Sequence, residues 1–222
     1  MKRILPLLLL LLTNLAMADP RPQLSDYAAL FASPANNAQL QQLQQQLLLD
    51  EASRGEFQQT RWLQVLKQPL QSHGRFIFAA DEGMLWQQQQ PFDSTLILKQ
   101  QQLIQIDSQG QMTIQSADNG SPLSSLLPRL MQALLSADMA YLQQHFSLYL
   151  QSGNPWQLGL IAKDAQLQTL LPKLVLQGNA QPQQLLMLTS NGDISDLRFS
   201  HIRQGPLSDD ERRALAVTRE PR

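Results

Sequence analysis

Three histidines, His73, His145 and His201, are the residues of this 222-residue chain best suited to proton transfer or metal ligation. A metal centre needs ligands at short spacing, as in H-E-x-x-H, or a cysteine cluster. No two of these histidines stand at such a spacing, and the chain has no cysteine. Adjacent carboxylates at Asp81-Glu82 could divide acid and base roles. Next to Gly83 and between two apolar runs, they read better as the tip of a hairpin. Lys163-Asp164 and Asp209-Asp210-Glu211 read as solvated charge. There is no G-x-S-x-G elbow and no glycine-rich phosphate loop. The sequence therefore offers no catalytic residue, no metal site and no cofactor, and it reads as a non-enzyme. Only groups that folding alone brings together stay open as catalysts.

Apolar surface is plentiful by contrast. Leu123, Leu126, Leu127, Leu130, Met131, Leu134 and Leu135 recur at i, i+3, i+4, i+7, i+8, i+11 and i+12. That pattern predicts an amphipathic helix with a wide apolar stripe. Ser121 suits its N-cap and Pro122 its first turn. The stretch "GRFIFAADEGMLW", Gly74 to Trp86, predicts a hairpin whose first strand is apolar on both faces. Phe76 and Phe78 point one way and Ile77 the other, whereas a sheet with one wet face alternates apolar with polar. Stripe and strand either cover each other as ordinary core or face each other across a cavity, with the helix as a lid.

Composition narrows the class further. The net charge is −1 and 43% of residues are hydrophobic. No basic stripe or patch points to nucleic acid. Glutamine runs such as Gln44 to Gln46 and Gln87 to Gln90 interleave with periodic leucine and read as solvated faces. Residues 1–18 have the form of a signal peptide: Lys2-Arg3, an apolar run from Ile4 to Leu12, and Ala16-Met17-Ala18. Cleavage between Ala18 and Asp19 is expected, with one domain over 19–222. Without cysteine the product cannot be an acylated lipoprotein, and a soluble periplasmic location follows if the cell is a Gram-negative bacterium. Secretion fits the same signal.

The order of elements is helix, about six strands, amphipathic helices, then about five strands. Helices are expected over 23–32 and 36–49, and a long strand from Phe57 to Leu66 carries Trp62. Asn191-Gly192-Asp193 marks a late hairpin. The tail from Ser208 is polar, with one short helix in "SDDERRAL". Segregated elements predict an α+β fold, an antiparallel sheet with helices on one face.

At this point the sequence resembles a family. Gly55-Glu56-Phe57-Gln58-Gln59, then Pro69-Leu70 leading to Gly74, Phe76 and Phe78, then Trp86 with Gln90-Pro91 before Leu96-Ile97-Leu98, stand in the order of the periplasmic LolA-type lipoprotein carriers. "WQLGLIAKDAQLQTLLPKLVLQG" and "QLLMLTSNGDISDLRFSHI" are similar to that family's closing strands, and the divergent LolA-like branch fits better. The resemblance spans roughly residues 24–203. It implies an incomplete antiparallel β-barrel, a half-barrel, with helices covering its concave face. It also implies a cavity for the acyl chains of a lipoprotein or another lipid. The expected lining is Trp62, Phe76, Phe78, Trp86, Leu96, Leu98, Leu126, Leu130, Met131 and Leu134. Expected partners are an inner-membrane ATP-driven transporter and an outer-membrane acceptor, with the carrier itself a monomer. A non-catalytic module of an envelope lipid or pigment export system is the alternative. The main branch keeps an Arg-Pro that latches the lid; here Ala80-Asp81 stands there, and Arg75 is the nearest cation, in another register.

Overall fold

The structure is a computed structural model that describes residues 21–47, 52–79, 81–99, 102–116, 130, 133–134, 137–170, 173–189 and 191–216. The signal peptide with Ala18 and Asp19, and the lid residues Leu126 and Met131, lie outside the described residues.

Six strands come first: β1 (Ala52–Trp62), β2 (Leu70–Ala79), β3 (Gly83–Gln90), β4 (Ser94–Leu98), β5 (Gln102–Ile106) and β6 (Met112–Ser116). Five follow: β7 (Phe146–Gln151), β8 (Trp156–Ala162), β9 (Lys173–Gly178), β10 (Pro182–Leu188) and β11 (Ile194–Gln204). All join one antiparallel 11-stranded sheet in the order β6-β5-β4-β3-β2-β1-β11-β10-β9-β8-β7. Strands β6 and β7 are its edges, so the barrel is incomplete, as the family resemblance implies. The helices are α1 (Ala28–Phe31), preceded by a 3-10 turn (Leu24–Tyr27), α2 (Asn37–Gln46), α3 (Met139–His145), α4 (Ala165–Leu170) and α5 (Asp209–Leu215). Leu130, Ala133 and Leu134 of the expected 121–135 helix have helical backbone. Edge β7 is covered where Pro34 bridges Tyr149, Ala35 N–H donates to Leu148 O, and Leu150 N–H donates to Ser33 O. Such cover blunts a sheet edge against pairing with other chains.

The register sorts every strand residue onto one of two faces. Phe57 lies beside Gly74 and Phe199, Phe76 beside Trp86, and Trp86 beside Leu96. These residues and the inward residues of β7–β10 form the largest apolar cluster, with α2 contributing Leu40 and Leu43 and α4 contributing Leu167. This is the concave face, and the helices expected over it are there.

The opposite, convex face departs from expectation. It is apolar in two places, and each is covered by a chain terminus. Over β2–β5 lie Ile77, Ala79, Leu85, Ile97 and Ile104, under Leu207, Ala214 and Leu215 of the C-terminal segment. Over β9–β10 lie Val175, Leu186 and Leu188, under Tyr27, Leu30 and Phe31. The tail read as merely polar thus covers the Ile77 face. Beside the second patch, across β8–β11, runs a polar row: Gln157 Nε2 donates to Gln177 Oε1 (3.1 Å), Gln177 to Gln184, and Gln184 to Asp196 Oδ1 (2.6 Å). Arg198 donates to the same carboxylate at 3.1 Å.

Helix α5 is capped by a reciprocal box: Ser208 Oγ accepts from Glu211 N–H and Ser208 N–H donates to Glu211 Oε2 (2.8 Å). Arg54 ties it to the sheet. Its Nη2 donates to the Gly205 and Pro206 carbonyls at 3.0 and 2.9 Å. Its Nε stands 2.8 Å from Glu211 Oε1 without hydrogen-bond geometry, so that attraction is coulombic. Burial pushes the Glu211 carboxyl up, but Ser208's N–H and hydroxyl, then Arg54 and Arg203, outweigh burial and hold it below its ordinary range. A depressed carboxyl contributes stability above its unfolded value near about 4.3, and that contribution is lost as pH falls through the folded value. The loss in stability between about pH 5 and 3 should therefore shrink in Glu211→Gln, as measured by urea unfolding across that range. An unchanged slope would show that Glu211 plays no part.

Candidate lipid-binding face

Strand parity decides which aromatic residues meet. From Phe57 inward positions fall on odd numbers of β1, and on even numbers of β2, of β3 as far as Gln88, and of β4. Phe57, Phe76, Trp86 and Phe199 consequently share the concave face. The Phe57 and Trp86 rings stack at 3.6 Å between centroids, and Phe76 meets Phe199 edge-on at 5.4 Å. Met84, Phe78 and Leu98 continue the surface toward the β2–β3 turn, and Leu130, Ala133 and Leu134 lie buried in the same cluster.

Seven of the ten predicted lining residues are thereby brought together: Phe76, Phe78, Trp86, Leu96, Leu98, Leu130 and Leu134. Trp62 is not among them. It sits at the end of β1 on the convex face, beside Leu188 and Ile194. Its separation from Phe57 is odd, and an odd separation along a strand puts two side chains on opposite faces. The same parity identifies Phe57 itself, which sequence reasoning left out, and the later pairing with β11 adds Phe199. Leu103 and Met84 are further inward residues that apolar pairing with Leu98 would have supplied.

The face is apolar and graded in exposure. Along β2, Phe78, Phe76 and Gly74 are buried, Ser72 is half-buried and Leu70 is exposed. Along β3, Met84 is buried, and Trp86 and Gln88 are half-buried before a bulge ends the alternation. The face is closed at the β2–β3 turn and opens toward the other end of the strands. Apolar contact with flexible chains is the chemistry such a surface can do.

The turn at Asp81-Glu82 makes no latch to the lid among the described residues. Arg75 projects from the convex face opposite Glu56, with Nε donating to Gln87 Oε1 at 2.5 Å. Glu82 turns instead toward α5, 3.7 Å from Arg212. The histidines stand on separate elements: His73 in β2, His145 against the Tyr141 ring at 4.5 Å, and His201 3.0 Å from Glu56 in a bulge of β11. Among the described residues no group of three or more His, Cys, Asp or Glu could hold a metal ion, and no helix is long and apolar enough to cross a membrane.

Residues 32–194 match the family described as outer membrane lipoprotein carrier protein LolA-like. No curated protein matches the chain. Among solved structures it is similar to a LolA superfamily protein from Nitrosomonas europaea, at 10% identity over 79% of this chain and 97% of that one, with a TM-score of 0.45. A putative outer membrane lipoprotein-sorting protein domain from Vibrio parahaemolyticus shows 11% identity over 79% and 96%, with a TM-score of 0.41. The MucA/MucB complex from Pseudomonas aeruginosa shows 14% over 81% and 59%, with a TM-score of 0.42. The assignment rests on the sequence match, which covers more than half of the chain: the protein belongs to the LolA-like outer membrane lipoprotein carrier family.

Proposed function

We propose that this protein is a periplasmic carrier that takes the acyl chains of lipoproteins, or a related lipid, against its concave face. It then shuttles them from the inner to the outer membrane. The observation that carries the reading is the apolar concave face under Leu130, Ala133 and Leu134, closed at one end and half-exposed at Trp86 and Leu96. Family membership supports a carrier rather than an enzyme. On the same footing, the donor is an ATP-driven transporter of the inner membrane and the acceptor lies in the outer membrane.

Magnitudes constrain how such a carrier works. Burying a methylene gives ~0.8 kcal/mol, so a chain of about fifteen carbons could gain ~12 kcal/mol. Full capture at that strength approaches a nanomolar Kd, too tight for ready release. The lid supplies an opposing term. Leu130 and Leu134 are buried in the same cluster as the sheet's aromatic residues, and entry of a chain must break that packing. A doxyl-labelled fatty acid should quench tryptophan emission in the wild type. The Leu130→Asp, Leu134→Asp variant should bind it roughly tenfold or more weakly, because the chain would then contact charge. Equal affinity in a folded variant would sink the lid mechanism.

Deep burial of Phe57, Phe76 and Leu134 also suits a second reading, a packed module of an envelope lipid or pigment export system. Mass spectrometry of protein purified from periplasm separates the two: a co-purifying lipid supports carriage, and none after mild extraction supports the module.

A further inference from the structure

The large apolar side chains left exposed among the described residues are not scattered. They are Leu24, Val65, Leu66, Leu70, Phe92 and Met112. Every one lies at the same end of the sheet. Val65 and Leu66 occupy the β1–β2 connection and Leu70 opens β2; Phe92 is in the β3–β4 turn, and Met112 opens β6 after the β5–β6 turn. Leu24 lines a shallow pocket with Gln64 and Gly192, beside the β10–β11 turn. The opposite end, with the β2–β3, β4–β5 and β7–β8 turns, carries none of them. Val65 and Phe92 are the extremes, 87% and 72% exposed. Isolated surface apolar residues need no explanation, but a cluster confined to one rim does.

We infer that this rim is a docking surface for a lipid bilayer, with Val65 and Phe92 entering the interface; the inference rests on the carrier reading and deepens it. Three observations favour lipid over a protein partner. The two most exposed side chains stand on separate turns and project singly, which a fluid interface accommodates and a fixed complementary surface would have to match. The turns themselves are held: Gln88 Nε2 donates to Phe92 O at 3.1 Å, and Asp107 Oδ1 accepts from Gln109 and Gln111 N–H at 2.9 and 2.8 Å. Finally, the concave face opens toward this end, so a chain leaving Trp86 and Leu96 would cross the rim into the bilayer.

The absence of cysteine makes the test direct. Phe92→Cys and Ser152→Cys are each labelled with an environment-sensitive NBD dye, Ser152 reporting from the exposed β7–β8 turn at the far end. They are mixed with vesicles of phosphatidylethanolamine and phosphatidylglycerol at 3:1. The dye at 92 should brighten and shift to the blue while the dye at 152 stays unchanged. No response at 92, or equal response at both, overturns the inference. In unlabelled protein, Val65→Ser with Phe92→Ser should reduce vesicle co-flotation on the order of tenfold. Fatty-acid binding in solution should remain as in the wild type. Undiminished flotation of the double variant would also overturn the inference. Failure of the wild type to bind fatty acid in solution would instead count against the carrier reading, whatever the vesicles show.

Discussion

Phe57→Ala should lower the unfolding free energy by about 3–5 kcal/mol, the usual cost of emptying a buried phenylalanine site. Phe57 is 2% exposed and stacks on Trp86 at 3.6 Å. The cost should fall in the upper part of that range because the site cannot collapse. Gly74 is the β2 partner of Phe57 and offers no side chain to fill the hole. It cannot be given one either, since a Cβ there would stand 1.9 Å from Gln87 O. The glycine is required by the close approach of β3, and the phenylalanine covers it. Urea unfolding followed by far-ultraviolet circular dichroism measures the loss. Phe92→Ala is the matched control; at 72% exposure it should change stability by no more than about 0.5 kcal/mol. Trp86 emission should also shift to the red in Phe57→Ala, because its stacked neighbour is gone. A loss below about 1 kcal/mol would mean that the aromatic cluster is not a rigid part of the concave wall.

How much of this was legible beforehand depended on whether a signal was local. Strand number, the helices after β6 and the boundaries of β7 and β8 follow from alternation and turn residues, which act over a few positions. The start of β1 did not: the strand expected from Phe57 begins at Ala52. Its first residues lie where β11 bulges, with Arg54 opposite Arg203 and Glu56 opposite Ser200. Gly55 is there because a Cβ would meet the Phe76 ring at 2.9 Å and Ser200 O at 2.8 Å. Those neighbours are far away in sequence, so nothing near Gly55 announces them. Trp62 was misplaced for a different reason. Its apolar character was plain, but its face depended on parity with Phe57, and both faces of this sheet turned out to be apolar. The Ile77 face was the open question in the hairpin, and its cover comes from Leu207, Ala214 and Leu215, three residues in an otherwise polar tail. A helix as short as α5 has little periodicity to detect, and isolated it would have little helicity.

That dependence leads to the second large effect. Leu215→Asp should undock α5 from the convex face. Leu215 is 1% exposed against the cluster that contains Ile77, Leu85, Ile97 and Ile104. The substitution removes a buried leucine and places a carboxylate where only apolar groups surround it, a combined cost of at least ~3 kcal/mol if the helix stayed in place. The bonds from Arg54 to the Gly205 and Pro206 carbonyls, and its attraction to Glu211, act before the helix and in its first turn and do not hold the Leu215 end. The helix should therefore leave rather than bury the charge, and its own seven residues should then unwind. What remains is a contiguous apolar patch on β2–β5, which should bind the dye ANS and drive self-association. Dye fluorescence should rise several-fold over wild type at neutral pH, and sedimentation velocity should show species larger than the monomer. The concave face lies across the sheet and shares no side chain with this patch, so fatty-acid binding by the remaining monomer should persist. This separates the two faces by experiment: Leu134→Asp should impair binding with little dye uptake, and Leu215→Asp the reverse. A Leu215→Asp protein that took up no dye would show that α5 is not what shields the Ile77 face. One that lost fatty-acid binding while still monomeric would show that the two faces are coupled through the sheet.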